Sequence, residues 1–314
     1  MTVFDAHCDT ISKSFREQAP LLRDNPEGHW DLKRTKHFFR CGQFFAIFHD
    51  SKGHTEREMQ EIFDEQYDFF CEELNRCSDV MTFCKTMQQA EETCQSGKVA
   101  AFLSVEGADL LGCSLKGLER AYSLGVRAVN LTWNRANVLS GSILEEPERG
   151  LSDLGKQFAR RMQELGMIVD VSHLSEAGFW DVIALAKSPI MASHSNAKTV
   201  WEHPRNLSDE QFIAIVKNNG VAGLNFYADF LGENPDFDAI TAHLEHFWSL
   251  GGEDHVCLGG DWDGCDTLVK GMEDGLAGLA NLYGHLLQKN IEQDKIDKLY
   301  FKNLARVVKQ VCTM

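Results

Sequence analysis

Short apolar runs alternate with longer stretches of helical periodicity along the whole chain. The runs cover residues 3–9, 44–49, 99–106, 128–133, 167–173, 190–195, 221–227 and 255–263. Their near-continuous apolar character is that of parallel strands buried on both faces. Between them, Phe158, Met162 and Leu165 recur at i, i+4 and i+7 just ahead of Gly166, which predicts a helix closed by that glycine. Ser208-Asp209-Glu210-Gln211 has the S-x-x-Q spacing of a capping box and is followed by Phe212, Ile213 and Ile215. Residues 56–75 form a long amphipathic segment. Eight strands alternating with helices in 314 residues predict an α/β fold, a (β/α)8 TIM barrel, with an open doubly wound sheet as the competing arrangement. The chain reads as one barrel domain over 1–314. Residues 9–44 are too many for one crossover and predict an excursion near the active-site face.

Composition narrows the classes. Apolar residues make up 43% and charged residues 25%, as in an ordinary globular protein. Lys and Arg number 31 against 47 Asp and Glu, a net charge of −16 with no basic stretch, which excludes a nucleic-acid partner. No apolar run approaches the roughly 18 residues of a membrane-spanning helix, and no basic segment leads into an apolar one at the start, so neither a membrane nor a secretory signal is expected. The ten cysteines form no C-x-x-C pair and read as reduced, mostly buried thiols, with the cytoplasm as the expected compartment.

The chemistry lies where the runs end. Six of the eight finish in a metal-capable or acid–base residue: His7 and Asp9, His49 and Asp50, Glu106, Asp170 and His173, His194, and Asp261 with Asp263. A period of two would place Asp5, His7 and Asp9 on one strand face. Burying such groups without partners costs several kcal/mol, and a metal ion is one such partner. In a barrel the strand ends converge on the catalytic face. Imidazole with carboxylate and no thiolate suits Zn, Mn, Co or Fe rather than Mg or Ca. The ligands outnumber the three of a single open zinc site, so two ions are expected, with Glu106 as the natural bridge. Asp5 is expected to orient a ligand, and Cys8 to be a small core residue. His49 and His203 are assigned as supporting groups, and His243 with His246 as a solvated helix face.

Phe4-Asp5-Ala6-His7-Cys8-Asp9, Ser104-Val105-Glu106-Gly107, Val171-Ser172-His173, Ser193-His194-Ser195, His203-Pro204-Arg205-Asn206 and Gly259-Gly260-Asp261-Trp262-Asp263-Gly264 follow one another in an order and spacing that resembles the membrane dipeptidase (renal dipeptidase) family, zinc peptidases of the amidohydrolase superfamily. The resemblance runs from residue 3 to the C-terminal helix. Its most specific marks are the H-x-D start, where the superfamily more often has H-x-H, and the His-Pro-Arg-Asn segment. It implies that His7, Asp9 and Glu106 hold one zinc, and that Glu106, His173 and His194 hold the second. It implies a hydroxide between the ions as nucleophile and Asp261 as the group that takes its proton and delivers it to the leaving amine. Arg205 would pair with the C-terminal carboxylate of a dipeptide and Tyr227 would line the pocket. Elementary chemistry agrees: metals lower the pKa of bound water to about 7, a carboxylate in reach serves as acid–base, and an arginine fork matches a carboxylate.

One position departs from the family. Relatives carry a His at the end of the fourth strand that contacts substrate, and here the matching residue is Trp133, within Asn130-Leu131-Thr132-Trp133-Asn134-Arg135-Ala136-Asn137. Indole donates one hydrogen bond and carries no charge. Either Asn134 or Asn137 takes over, or the transition state is stabilised differently, and one lost oxyanion donor costs roughly 2.7–4 kcal/mol. Trp133 and Asn134 therefore join Arg205 and Tyr227 as expected substrate-binding groups. The expected function is a binuclear zinc dipeptidase acting on small dipeptides, extending through the resemblance to a D-residue at the C-terminal position and to a homodimer. Two other readings stay open: a related amidohydrolase acting on another amide such as an N-acyl amino acid, and a non-catalytic metal-binding scaffold.

Overall fold

The computed structural model describes residues 1–20 and 22–313. Among them nine parallel strands form one sheet: β1 (Thr2–Asp5), β2 (Arg40–Phe48), β3 (Met81–Phe83), β4 (Val99–Glu106), β5 (Val126–Asn130), β6 (Ile168–Asp170), β7 (Met191–Ala192), β8 (Val221–Leu224) and β9 (Val256–Leu258). The order β2-β1-β9-β8-β7-β6-β5-β4 closes on itself through a ladder from Gly42↔Ala100 to Phe48↔Glu106. That ladder makes the fold a (β/α)8 barrel and rules out the open sheet. The extra strand, β3, pairs with Val99–Ala101 of β4, while β5 takes the same edge from Leu103 onward. Three residues are too few to show a period in the sequence.

A cluster with one residue from each barrel strand fills the interior: Phe4, Phe44, Phe102, Ala128, Ile168, Met191, Val221 and Cys257. The Phe44 and Phe102 rings lie 5.0 Å apart and Phe4 lies 5.3 Å from Phe102. The helix Asn303–Val311 adds Leu304, Val307, Val308 and Val311 to this cluster and seals the end where the strands begin. Each such side chain contributes roughly 1.5–3 kcal/mol by leaving water. A barrel filled at one end leaves only the other for polar chemistry.

The helices start and stop where the sequence signals them. Asp153–Leu165 ends at Gly166 in the left-handed region (φ 77°). Asp209–Lys217 opens with the Ser208–Gln211 capping box, and Glu56–Arg76 with another between Thr55 and Glu58. The excursion over 9–44 contains the helix Thr10–Glu17 and a short turn of helix at Arg34–His37. It is pinned to the barrel mouth by Asp263, whose carboxylate accepts from Thr10 Oγ1 (2.6 Å), Asn25 Nδ2 (3.0 Å) and the His29 N–H (2.8 Å).

β4 matches its run and β2 starts before its own, but β1 and β5–β9 end before theirs. Pairing stops at Asp5, Asp170, Ala192, Leu224 and Leu258, not at 9, 173, 195, 227 and 263. The apolar pattern runs on because the barrel mouth is still buried. The backbone meanwhile turns, with His173 (φ 70°) and Asp261 (φ 56°) in the left-handed region.

His243 and His246, both on the helix Phe237–Ser249, do not share a solvated face. His243 is buried, with Nδ1 accepting the Ala197 N–H (3.1 Å) and Nε2 donating to the Leu231 carbonyl (3.2 Å). His246 alone reaches outward, to Asp209 (2.7 Å). Burial lowers the His243 pKa from 6.5 to about 4. The unfolded chain thus takes up a proton between those values that the folded chain refuses. The stability this imidazole supplies is complete above pH 6.5 and is lost as the pH falls to 4, by about 3 kcal/mol. Urea unfolding of the wild type and of His243→Gln should show that difference in slope with pH, and parallel profiles would contradict it.

Candidate active site

The barrel brings the predicted residues to one place. His7 and Asp9 follow β1, Glu106 ends β4, His173 follows β6, His194 follows β7, and Asp261 follows β9. Glu106 lies four residues past Phe102 on the same inward face, higher in the barrel. All six are buried. Glu106 is the centre: its Oε1 lies 2.8 Å from His173 Nε2 and 3.5 Å from His194 Nε2, and its Oε2 lies 3.5 Å from His7 Nε2. His7 Nε2 is 3.2 Å from Asp9 Oδ2 and 3.9 Å from Asp261 Oδ1. Three sets of side chains bring their ligand atoms within 4.8 Å of one another: His7, Asp9 and Glu106; Glu106, His173 and His194; and His7, His194 and Asp261.

The donor set fits metal ions. His173 Nδ1 lies 2.8 Å from Asn134 Oδ1, and His194 Nδ1 lies 2.7 Å from Ser193 Oγ. With Nδ1 engaged, each ring turns Nε2 inward, and the two Nε2 atoms are 2.9 Å apart. Burial, reinforced by the positive charges of Arg205 and His7, holds both imidazoles well below their usual pKa. Donation from Nδ1, which Asn134 Oδ1 calls for at His173 and Ser193 Oγ accommodates at His194, leaves both Nε2 lone pairs facing a carboxylate oxygen, a set suited to a cation. Burial likewise raises the Glu106 and Asp261 carboxyls. At His7 burial acts to lower the pKa, but Glu106 and Asp9 outweigh it and raise it well above 6.5. Among the three imidazoles, positive charge is thus favoured at His7 alone, beside the carboxylates of Glu106 and Asp9. Asp9 Oδ1, buried with no hydrogen-bond partner among the described residues, adds a free ligand atom.

The supporting groups differ from expectation. The strand period of two does not reach His7, because pairing ends at Asp5 and only a lone bridge from Cys8 to Trp262 continues it. Asp5 does not touch an imidazole ring. It accepts the N–H groups of His7 (3.0 Å) and Gly260 (2.9 Å), fixing the backbones that carry His7 and Asp261. Asp170 does the same for the neighbouring histidines, accepting from Ser172 (3.0 Å) and Ser193 (3.1 Å). Asn225 donates to Asp261 Oδ2 (2.9 Å) and accepts the Tyr227 N–H (2.7 Å). The sequence reading missed Asn225, though it stands two residues before Tyr227 at a strand end. Gly264 allows the closing turn, since a Cβ there would overlap the carboxylates of Asp9 and Asp261. Cys8 is buried against Thr10, as a small core residue.

Above the cluster lies a cavity of about 510 Å3, of ordinary size for a small-molecule site. Arg205, Tyr227, His203 and Phe230 line it on the arc after β7 and β8. Arg205 is buried, 5.5 Å from the Phe230 ring, and its Nη2 has no partner among the described residues. Burial lowers its pKa to about 10, against the pull of Asp261, Glu106 and Asp170, so it is cationic at neutral pH. Burial and the neighbouring Asp229 raise the Tyr227 phenol to about 12, keeping it protonated. His203 accepts the Arg205 N–H (3.2 Å). His49 does not support the site; it meets His54 (3.2 Å) near the surface.

On the opposite arc, Trp133 lines the cavity 4.7 Å from the Phe48 ring and 6.1 Å from His173. Asn134 lines it too, with its oxygen on His173. Asn137 does not reach the cavity: its amide group donates to Asp109 and the Leu131 carbonyl, and its oxygen accepts from Leu139. Among the described residues, no helix is long and apolar enough to cross a membrane.

The chain is similar to known proteins in sequence and in fold. A protein of Klebsiella pneumoniae, itself uncharacterized, is 37% identical over 233 residues, covering 70% of this chain and 85% of that one. The solved structure of dipeptidase AC, a metallopeptidase of family M19, superposes with a TM-score of 0.93 at 28% identity, over 100% of this chain and 99% of the other. The structure of a metallopeptidase from Rhodobacter sphaeroides, liganded with a phosphinate mimic of the dipeptide L-Ala-D-Ala, superposes at 0.89 and 28% identity over 99% of each chain. The sequence pattern of the membrane dipeptidase family matches residues 1–314, and the chain belongs to that family of metallo-dipeptidases, peptidase family M19.

Proposed function

We propose that this enzyme hydrolyses the peptide bond of small dipeptides with a free C-terminal carboxylate, using two zinc ions. The observation that carries the reading is the sharing of Glu106 between two sets of ligand atoms, with an unpartnered cationic Arg205 lining the same cavity. His7, Asp9 and Glu106 would hold one ion, and Glu106, His173 and His194 the other. Bound there, the ions supply an activated water and polarise the scissile carbonyl. Asp261, held at Oδ2 by Asn225, keeps Oδ1 towards the cluster, where it takes a proton from the nucleophile and returns it to the leaving amine. Arg205 binds the substrate carboxylate, and Tyr227 closes the pocket beside it.

Zinc is favoured by imidazole and carboxylate ligands without thiolate, with Mn, Co or Fe as the alternatives. The dipeptide mimic bound by the Rhodobacter enzyme supports extending the substrates to L-D dipeptides. Trp133 beside Phe48 also favours a second substrate class, N-acyl amino acids, whose apolar acyl group would meet that wall. A panel of L-L dipeptides, L-D dipeptides and N-acyl amino acids, offered to zinc-loaded protein, decides between them. Dipeptides should be cleaved fastest. Faster cleavage of N-acyl amino acids would replace the reading with the second, and no cleavage of any member would end both.

A further inference from the structure

We infer that Phe48 and Trp133 form the subsite for the side chain on the N-terminal side of the scissile bond, and that they make the enzyme select bulky apolar, above all aromatic, residues there. The inference rests on the dipeptidase reading and deepens it. Around the barrel, Phe48 ends β2 and Trp133 follows β5, on either side of β4 and Glu106. Arg205 and Tyr227 follow β7 and β8, on the opposite arc. A dipeptide with its carboxylate on Arg205 and its scissile carbonyl over Glu106 therefore lays its N-terminal residue against β2 and β5. There it meets the two rings, 4.7 Å apart and tilted by 53°, a face for an aromatic or branched side chain. Leu144, 51% exposed and lining the same cavity, extends the apolar surface.

The wall is built rather than incidental. Arg135 Nε donates to Asp50 Oδ1 (2.7 Å), tying the segment after Trp133 to the segment after Phe48. Asn134, the residue directly after Trp133, is anchored on His173, and the Ile143 N–H donates to the His173 carbonyl (2.8 Å), which fixes the approach to Leu144. A ring clamped in this way fills its subsite without first losing rotamer freedom. The competing group at the rim is Arg16, exposed and lining the cavity, which would favour an acidic N-terminal residue instead.

The test compares kcat/KM for Phe-Ala, Gly-Ala and Asp-Ala in wild type, Trp133→Ala and Trp133→Leu. Wild type should prefer Phe-Ala over Gly-Ala by about 10–200-fold, and Trp133→Ala should cut that ratio about tenfold or more, with Trp133→Leu between. Any loss common to all substrates cancels in the ratio, so a merely structural role of Trp133 would not move it. Equal rates on Phe-Ala and Gly-Ala, a ratio that survives Trp133→Ala and Trp133→Leu, or a preference for Asp-Ala would each overturn the inference while leaving the dipeptidase reading in place. Failure to cleave all three would overturn both.

Discussion

Replacing Asp261 by Asn lowers kcat/KM on a dipeptide by about 10²–10⁴-fold, while the protein keeps its wild-type metal content. Asn has the shape of Asp and can still meet Asn225, which now donates to Asp261 Oδ2 (2.9 Å). It cannot accept a proton from the nucleophile or pass one to the leaving amine. Asp261 is buried and stands in the left-handed region (φ 56°), held from below through the Asp5–Gly260 hydrogen bond. The surrounding structure holds that conformation and with it the direction of the side chain. Asp261 also belongs to one of the three ligand sets, with His7 and His194. Elemental analysis of Asp261→Asn separates the roles. Activity lost with metal retained marks proton transfer, whereas metal lost along with activity would make Asp261 a ligand.

Arg205→Gln raises KM for dipeptides far more than it lowers kcat. Removing one partner of a buried, hydrogen-bonded charge pair costs about 2–5 kcal/mol, or roughly 30- to several thousand-fold in kcat/KM. A carboxylate remote from the scissile bond would be bound equally in the ground and transition states, so the loss should fall mainly on KM. Wild type should reject the C-terminal amide of a good dipeptide by a similar factor, and Arg205→Gln should not discriminate between them. Arg205→Lys should lie between, because it restores charge without the planar fork. If the amide and the free acid are cleaved equally by wild type, Arg205 has another task.

The barrel was legible because its strands are buried on both faces and so read as unbroken apolar runs. The same property hid the strand ends. Residues 6–9 and 171–173 stay buried beyond the last paired residues, Asp5 and Asp170, because the mouth is as buried as the barrel wall. His7, Asp9, Glu106, His173, His194 and Asp261 could be found as residue types at run ends, which needs no knowledge of pairing. Of what they lean on, only Asp5 was legible, as a group that orients a ligand; its backbone partners, and the roles of Asp170 and Asn225, needed the structure. Asp5 and Asp170 act on backbone N–H groups, among them that of Gly260, 255 residues from Asp5, and Asn225 acts on a side chain 36 residues on. His243 looked like a surface residue because its helix also carries charged positions, and only its two backbone partners at Ala197 and Leu231 reveal a core site. Trp133 was legible as a departure, but its partner Phe48 needed the barrel to bring β2 and β5 to the two sides of β4.

The most direct measurement is elemental analysis of the purified protein joined to dipeptide hydrolysis before and after chelation and zinc return. The shared Glu106 predicts close to two metal ions per chain, activity abolished by the chelator, and activity restored by zinc. Protein that holds no metal after incubation with Zn, Mn or Co, or that cleaves dipeptides equally well with chelator present, would contradict the account.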